Sequence, residues 1–248
     1  MHPKKLVFLG SKPVGYQCFS HLLAMREELN IEVIALLTNA RKEFGNSHDL
    51  GVLAESHHIP IIDEINDIPD CDIIYSVQYH KILSATHISK AKQATVNLHM
   101  APLPEYRGSN QFSYAIIDNK KEFGTTIHLI DTGIDHGDIL FQKRFPIPEH
   151  CKVNMLYDLT FDASLELFRD TLADVVNNHY TPIPQTTLEE KYGTSLHYKK
   201  DIHKLKEIDL GWDKEKIERH IRATSMPGFE PPFCIINGEK LFFTTIHA

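Results

Sequence analysis

The chain has 248 residues, 42% of them hydrophobic and 24% charged, a globular balance that excludes a membrane-spanning, collagenous or wholly disordered polypeptide. Its 33 acidic residues outnumber 26 basic ones, for a net charge of −7. An acidic surface repels phosphate backbones, so a general nucleic-acid binder is not expected.

In chain order, residues 6–9 (LVFL) form a short apolar run, the pattern of a strand buried on both faces. The run ends at Gly10, shorter than the apolar region of a secretory signal. Four scattered cysteines (Cys18, Cys71, Cys151 and Cys234) make no C-x-x-C pair and read as free thiols in a reducing compartment, so a cytoplasmic location away from membranes is expected. Residues 10–15 read as a turn, and Cys18, Phe19, Leu22, Leu23 and Leu29 follow with helical spacing. Ile31–Thr38 reads as a second buried strand, 39–49 as a polar loop, 50–58 as a helix and 59–62 as a short strand. Residues 72–78 are the next core strand, 82–91 a helix and 95–99 another strand. Buried strands alternating with helices predict an α/β fold with a Rossmann-like, doubly wound, mostly parallel sheet.

The second half breaks that rhythm. Residues 112–117 read as helical, and 124–130 and 140–148 as strands. Val153–Asn177 reads as one long helix with Leu156, Leu159, Leu165, Phe168, Leu172 and Val176 on its apolar side. A polar linker follows Pro184, then a helix over Lys214–Thr224 capped by Asp213. Asn237-Gly238 between two apolar runs signals a hairpin with a type I′ turn. A catalytic domain over 1–185 and a small helix-plus-hairpin domain over 186–248 are therefore expected, with Trp212, Phe229, Phe233 and Phe243 as core of the latter. The hairpin leaves an edge able to pair with a second copy, so a homodimer is expected.

Three features bear on chemistry. The first turn, Gly10-Ser-Lys-Pro-Val-Gly15, lacks the third glycine of G-x-G-x-x-G and the G-K-[ST] of a P-loop, and Pro13 removes an N–H that a pyrophosphate would use. A nicotinamide cofactor is disfavoured. Asn97 and His99 share one face at the carboxyl end of a strand, about 7 Å apart, where open α/β sheets bind ligands. An amide can donate to developing negative charge and an imidazole can move a proton, yet the pair fits two structurally hydrogen-bonded residues as well. The stretch from His128 to Asp138, with Asp131, Asp135 and two glycines, fits a ligand-facing loop or a plain Asp/Gly turn. Sixteen histidines include no H-E-x-x-H and no zinc spacing, so no metal site is expected.

The segments NLHMAPLPEYRG (97–108) and GTTIHLIDTGIDHGDI (124–139) resemble the two signatures of the folate-dependent formyltransferases, as does SVQYHKIL (76–83). The resemblance implies an Asn/His/Asp triad of Asn97, His99 and Asp135, the first and last 38 residues apart. It also implies 10-formyltetrahydrofolate as formyl donor. Lys81, Ile82 and Leu83 would meet its pteridine through backbone groups, with Thr132, Gly133 and Ile134 closing the pocket. Arg107, Asn110 and His128 would face the acceptor.

The branch is read from the remainder. Methionyl-tRNA formyltransferases share this core but carry a larger, basic C-terminal domain, whereas residues 198–222 here hold eight basic and six acidic residues. RGSN (107–110) and the tail motifs WDKEKIERHIRA and INGEK look most like the nucleotide-sugar N-formyltransferases, acting on GDP- or dTDP-linked amino sugars for O-antigen or other glycan assembly. The competing readings are a methionyl-tRNA formyltransferase and a folate-binding domain without chemistry.

Overall fold

The computed structural model describes residues 2–38 and 49–244; the loop expected over 39–49 falls, but for Asp49, outside the described residues. The elements in order are β1 (Lys4–Gly10), α1 (Lys12–Met25), β2 (Ile31–Thr38), α2 (Leu50–Ser56), β3 (Ile61–Ile62), β4 (Cys71–Val77), α3 (Ala85–Ile88), β5 (Ala91–His99), β6 (Arg107–Gly108), α4 (Gln111–Ile117), β7 (Glu122–Leu129) and β8 (Ile139–Pro146). They continue with α5 (Val153–Asn177), α6 (Glu189–Tyr192), β9 (Leu196–His197), α7 (Ile202–Lys206), α8 (Lys214–Thr224), β10 (Phe233–Ile236) and β11 (Glu239–Phe242).

Seven strands form one sheet in the order β3-β2-β1-β4-β5-β7-β8. Pairs from β3 through β5 are parallel, while β7 and β8 close the other edge antiparallel. This is the mostly parallel, Rossmann-like sheet, with a C-terminal helix and antiparallel hairpin behind it.

The two sheet faces are covered unequally. Leu6, Phe8, Tyr75, Val77, Val96, Leu98 and Ile127 pack against α1, α2 and α5 in one apolar core. Each such side chain, fully buried, contributes roughly 1.5–3 kcal/mol. Val7, Leu9, Leu37 and Ile74 form a second core on the opposite face, with Ile68 and Leu83 from turns and loops. Strand alternation therefore sends Asn97, His99 and His128 to the face that lacks the long helices. That face has room for a cleft.

Several expectations are corrected. The helix expected over 82–91 shrinks to α3, because the Ser84 hydroxyl and N–H meet His87 Nδ1 at 3.1 Å and start it late. Ala91 already pairs with Cys71 in the sheet. The first turn is shorter than six residues, since α1 begins at Lys12 with proline in its opening turn. Its glycines serve packing: a Cβ on Gly10 would come 2.6 Å from the Phe8 ring, and one on Gly15 3.3 Å from the Val77 carbonyl. On α5, Leu159 is exposed. Leu156, Phe168, Leu172 and Val176 are buried as expected, and the buried face also takes in Thr160, Ser164 and Thr171, whose hydroxyls donate to carbonyls one turn back.

In the tail, Asp213 accepts from the Lys216 N–H at 2.8 Å and caps α8. Asn237 and Gly238 both have positive φ, 51° and 85°, as a type I′ turn requires. Phe229 is exposed rather than core, Phe233 is buried, and Trp212 is half-buried beneath the Lys216 ammonium. Among the described residues no helix is long and apolar enough to cross a membrane, and all four cysteines are free and buried.

Candidate active site

Asn97 and His99 end β5, and the antiparallel register with β7 sets Asn97 directly opposite His128. After β7 the chain turns through residues 130–138. The Asp131 carboxylate accepts from the Gly133 N–H at 2.8 Å and meets His136 Nδ1 at 2.6 Å, which folds the loop back over the sheet edge. Asp135 sits in the left-handed region at φ +45°. There its side chain enters the space between Asn97, His99 and His128.

Asp135 is the hub. Its Oδ1 lies 3.4 Å from the Asn97 amide nitrogen and 3.5 Å from His128 Nε2. Its Oδ2 lies 3.5 Å from His99 Nδ1 and accepts from the Gly108 N–H at 2.9 Å. Burial alone would push this carboxyl up. The His99 charge, the hydrogen bond and charge of His128 and the Gly108 N–H outweigh it and hold Asp135 well below the usual carboxylate range.

Each histidine is oriented by a carbonyl. His99, 4% exposed, donates Nε2–H to Tyr106 O at 2.8 Å, so a second proton has only Nδ1 to occupy, facing Asp135. His128 donates Nδ1–H to Leu129 O at 2.7 Å. Its Nε2, 3.2 Å from the Asn97 amide nitrogen, accepts from that amide when neutral and turns to Asp135 when protonated. Each ring thus has one nitrogen fixed on a carbonyl and the other within 3.5 Å of Asp135.

A cleft of about 380 Å³ opens over this cluster. Asn97, His128 and Asp135 form its floor; Tyr79, Lys81, Ile82 and Leu83 line one wall, and Ile130, Gly133 and Ile134 the next. The 79–83 wall lies outside any helix or strand. It is braced at Gln78, whose carbonyl accepts from the Ser11 hydroxyl and whose amide oxygen accepts from Lys12 Nζ. Of the residues expected at the site, His99 lies beneath the floor and Thr132 is exposed outside the lining. Arg107 and Asn110 brace the structure: Arg107 Nε donates to Ile134 O at 2.9 Å, and the Asn110 amide to Tyr198 O at 2.8 Å. Among the described residues no group of three or more His, Cys, Asp or Glu is arranged for a metal ion.

Sequence reasoning missed the fourth side of the cleft, formed by His197, Tyr198 and Lys199. His197 ends β9, a two-residue strand too short for periodicity to reveal, and Tyr198 and Lys199 follow it. It also gave no role to Gly108 or Gln185. The motif YRG contained Gly108, and its φ of +85° is the kind of need that a glycine in a polar turn can signal.

A sheet whose carboxyl edge gathers an amide, two oriented imidazoles and one carboxylate in a ligand-sized cleft has the groups that acyl transfer needs, a donor for a developing oxyanion and a base for the incoming nucleophile. Comparison with known families is specific: the model described as Formyl transferase matches residues 4–172, and the chain belongs to that family. Among curated relatives, a methionyl-tRNA formyltransferase of Alkaliphilus oremlandii is 26% identical over 235 residues, covering 89% of this chain and 73% of the relative. Among solved structures, WlaRD, a sugar 3N-formyl transferase crystallised with dTDP and 5-N-formyl-THF, superposes with a TM-score of 0.79 at 25% identity, covering 97% of this chain and 85% of its own. A 4-N formyltransferase from Francisella tularensis gives a TM-score of 0.82 at 22% identity, over 99% and 98% of the two chains, a likeness of fold.

Proposed function

We infer that this formyltransferase moves a formyl group from 10-formyltetrahydrofolate to the amine of a GDP- or dTDP-linked amino deoxysugar. The observation that carries the reading is the convergence of Asn97, His99 and His128 on Asp135 at the floor of a cleft of substrate size. The donor fits the wall at 79–83. A planar heterocycle with an amide-like edge needs main-chain groups outside regular structure and an apolar surface, and this segment offers both, with Leu83 and Ile130 beside it. When bound, the donor supplies an activated formyl carbon to an incoming amine.

The roles follow from chemistry. Asn97 Nδ2, in long contacts of 3.2 and 3.4 Å, exchanges one of them for the formyl oxygen; such bonds tighten when substrate arrives. His99 lies behind Asp135, its Nδ1 on the carboxylate, and acts on the site through it. A donor such as Asn97 is worth about 10²–10³ in rate. His128 Nε2 accepts the proton that the amine loses as its nitrogen bonds the formyl carbon, Asp135 stabilises the resulting imidazolium, and the same proton goes to the donor nitrogen as its bond to the formyl carbon breaks. Asp135 thus serves both rings.

Three features favour a sugar nucleotide over methionyl-tRNA as acceptor. Residues 198–222 carry a near-balanced charge, not the excess that tRNA phosphates demand. Lys81 and Lys199 both line the cleft, cations of the kind that a diphosphate recruits. WlaRD, named for a sugar acceptor and crystallised with dTDP, matches over 97% of this chain. The curated relatives named for methionyl-tRNA keep that acceptor as the second reading.

The deciding experiment is mass spectrometry of GDP- and dTDP-linked amino sugars incubated with the protein and 10-formyltetrahydrofolate. One sugar gaining a formyl group establishes reaction and acceptor together. Formylation of methionyl-tRNA alone would overturn the sugar reading. We assign the reacting residues to 1–185, with 186–248 as a small C-terminal domain that completes the cleft, and a homodimer through the hairpin, whose Ile235, Ile236, Leu241 and Phe242 are exposed. A concentration-independent monomer in light scattering would overturn the dimer.

A further inference from the structure

Asp135 is held from behind by a segment far along the chain. Gln185 follows 50 residues later, is 4% exposed, and sends its amide nitrogen to Asp135 O at 2.9 Å and Gly137 O at 2.8 Å. Its own Oε1 is buried with no hydrogen-bond partner. A buried acceptor without a donor is costly, so this amide is retained there for what its nitrogen holds. What it holds is a non-glycine residue at φ +45°, a conformation that persists only where neighbours over-determine it.

The same segment reaches the carboxylate from the other side. Strand β9 pairs in parallel with β6: Arg107 N–H donates to Ser195 O and Ser109 N–H to His197 O, both at 2.9 Å. Successive N–H groups of a strand point to opposite edges. With 107 and 109 committed to β9, the Gly108 N–H faces away from it, and there it meets Asp135 Oδ2 at 2.9 Å. The approach is too close for a side chain, since a Cβ on Gly108 would stand 2.2 Å from the His197 carbonyl oxygen.

We propose that Gln185 and strand β9 are positioning elements for Asp135, Gln185 fixing its main chain and β9 its carboxylate through Gly108, so that residues 185–197 belong to the machinery of formyl transfer. This rests on the role given to Asp135 above. Gln185 touches no reacting atom; it acts by keeping the carboxylate within reach of His99 and His128, and a displacement of about 1 Å at such a centre costs on the order of 10²-fold in rate.

The test is a double-mutant cycle on the full chain, with 10-formyltetrahydrofolate and the GDP- or dTDP-linked amino sugar that the mass-spectrometric panel identifies as acceptor. Gln185→Leu keeps the volume but removes both donations. It is expected to lower kcat about 10- to 100-fold with KM for the acceptor within about threefold, and to cost little further in an Asp135→Asn background. Gly108→Ala, which pushes β9 away, is expected to show the same non-additivity; if it does not fold, Gln185→Leu alone carries the test. Asp135→Asn retaining near wild-type turnover would sink the functional reading itself. An inactive Asp135→Asn beside a fully active Gln185→Leu, or an equal loss from Gln185→Leu in both backgrounds, would overturn this proposal and leave that reading standing.

Discussion

His99 Nδ1 faces Asp135 Oδ2 at 3.5 Å, while the other nitrogen of the same ring is fixed on the Tyr106 carbonyl at 2.8 Å. The ring cannot turn without breaking a buried hydrogen bond, so its Nδ1 is aimed in one direction. Replacing His99 by Ala removes the ring from behind Asp135 and leaves Tyr106 O without its donor. The expected loss in kcat is about 10²–10³-fold, measured by single-turnover formyl transfer. A variant within threefold of wild type would exclude His99 from the chemistry.

Asp135 also couples the site to acid stability. Its folded-state pKa lies below the unfolded value near 4. A group of this kind adds stability that is fully present above its unfolded pKa and is lost as pH falls through its folded pKa. Urea unfolding of wild type and Asp135→Asn is therefore expected to show a stability difference that is constant above about pH 5 and shifts against wild type as the pH drops toward 2. A difference independent of pH across that window would mean that the carboxylate is not held by His99, His128 and Gly108.

His128 separates proton transfer from architecture. His128→Asn loses the ring nitrogen that exchanges Asn97 for Asp135 while keeping a polar side chain at the floor. Its kcat is expected to fall by about 10²–10⁴-fold, with the acceptor KM changing far less. An unaltered kcat with a raised KM would reassign His128 to binding alone.

The legible parts of this molecule were those with local signals. Val153–Asn177 and Lys214–Thr224 stand where helical spacing and the Asp213 cap put them, and the Asn-Gly hairpin turns as its residues require. The end-of-strand pair Asn97 and His99 and the loop bearing Asp135 were visible because short motifs concentrate unusual residues. His128 was legible only as a candidate, since its pairing with Asn97 is a matter of antiparallel register. Gln185 and β9 were not legible at all. Their contacts join residues 48 to 88 positions apart, and nothing in a polar linker or a two-residue strand announces such a partner. Thr160, Ser164 and Thr171 were not legible as core for a related reason: hydroxyls that satisfy themselves against the preceding turn can line a core beside the apolar residues that hydropathy picks out.

Phe168 supplies a control on stability without chemistry. It is fully buried on α5, with its ring edge-on to Tyr75 at 5.0 Å between centroids, on the sheet face opposite the cleft. Phe168→Ala removes those contacts and leaves a cavity that close-packed neighbours fill only in part, a cost of about 3–5 kcal/mol. Chemical denaturation should register this loss in full. The fraction that remains folded should keep its formyl-transfer rate, because Asn97, His99, His128 and Asp135 take none of their hydrogen bonds from α5. A fall in kcat per folded molecule comparable to that of the His99 variant would show instead that the core on this face sets the geometry of the cleft on the other.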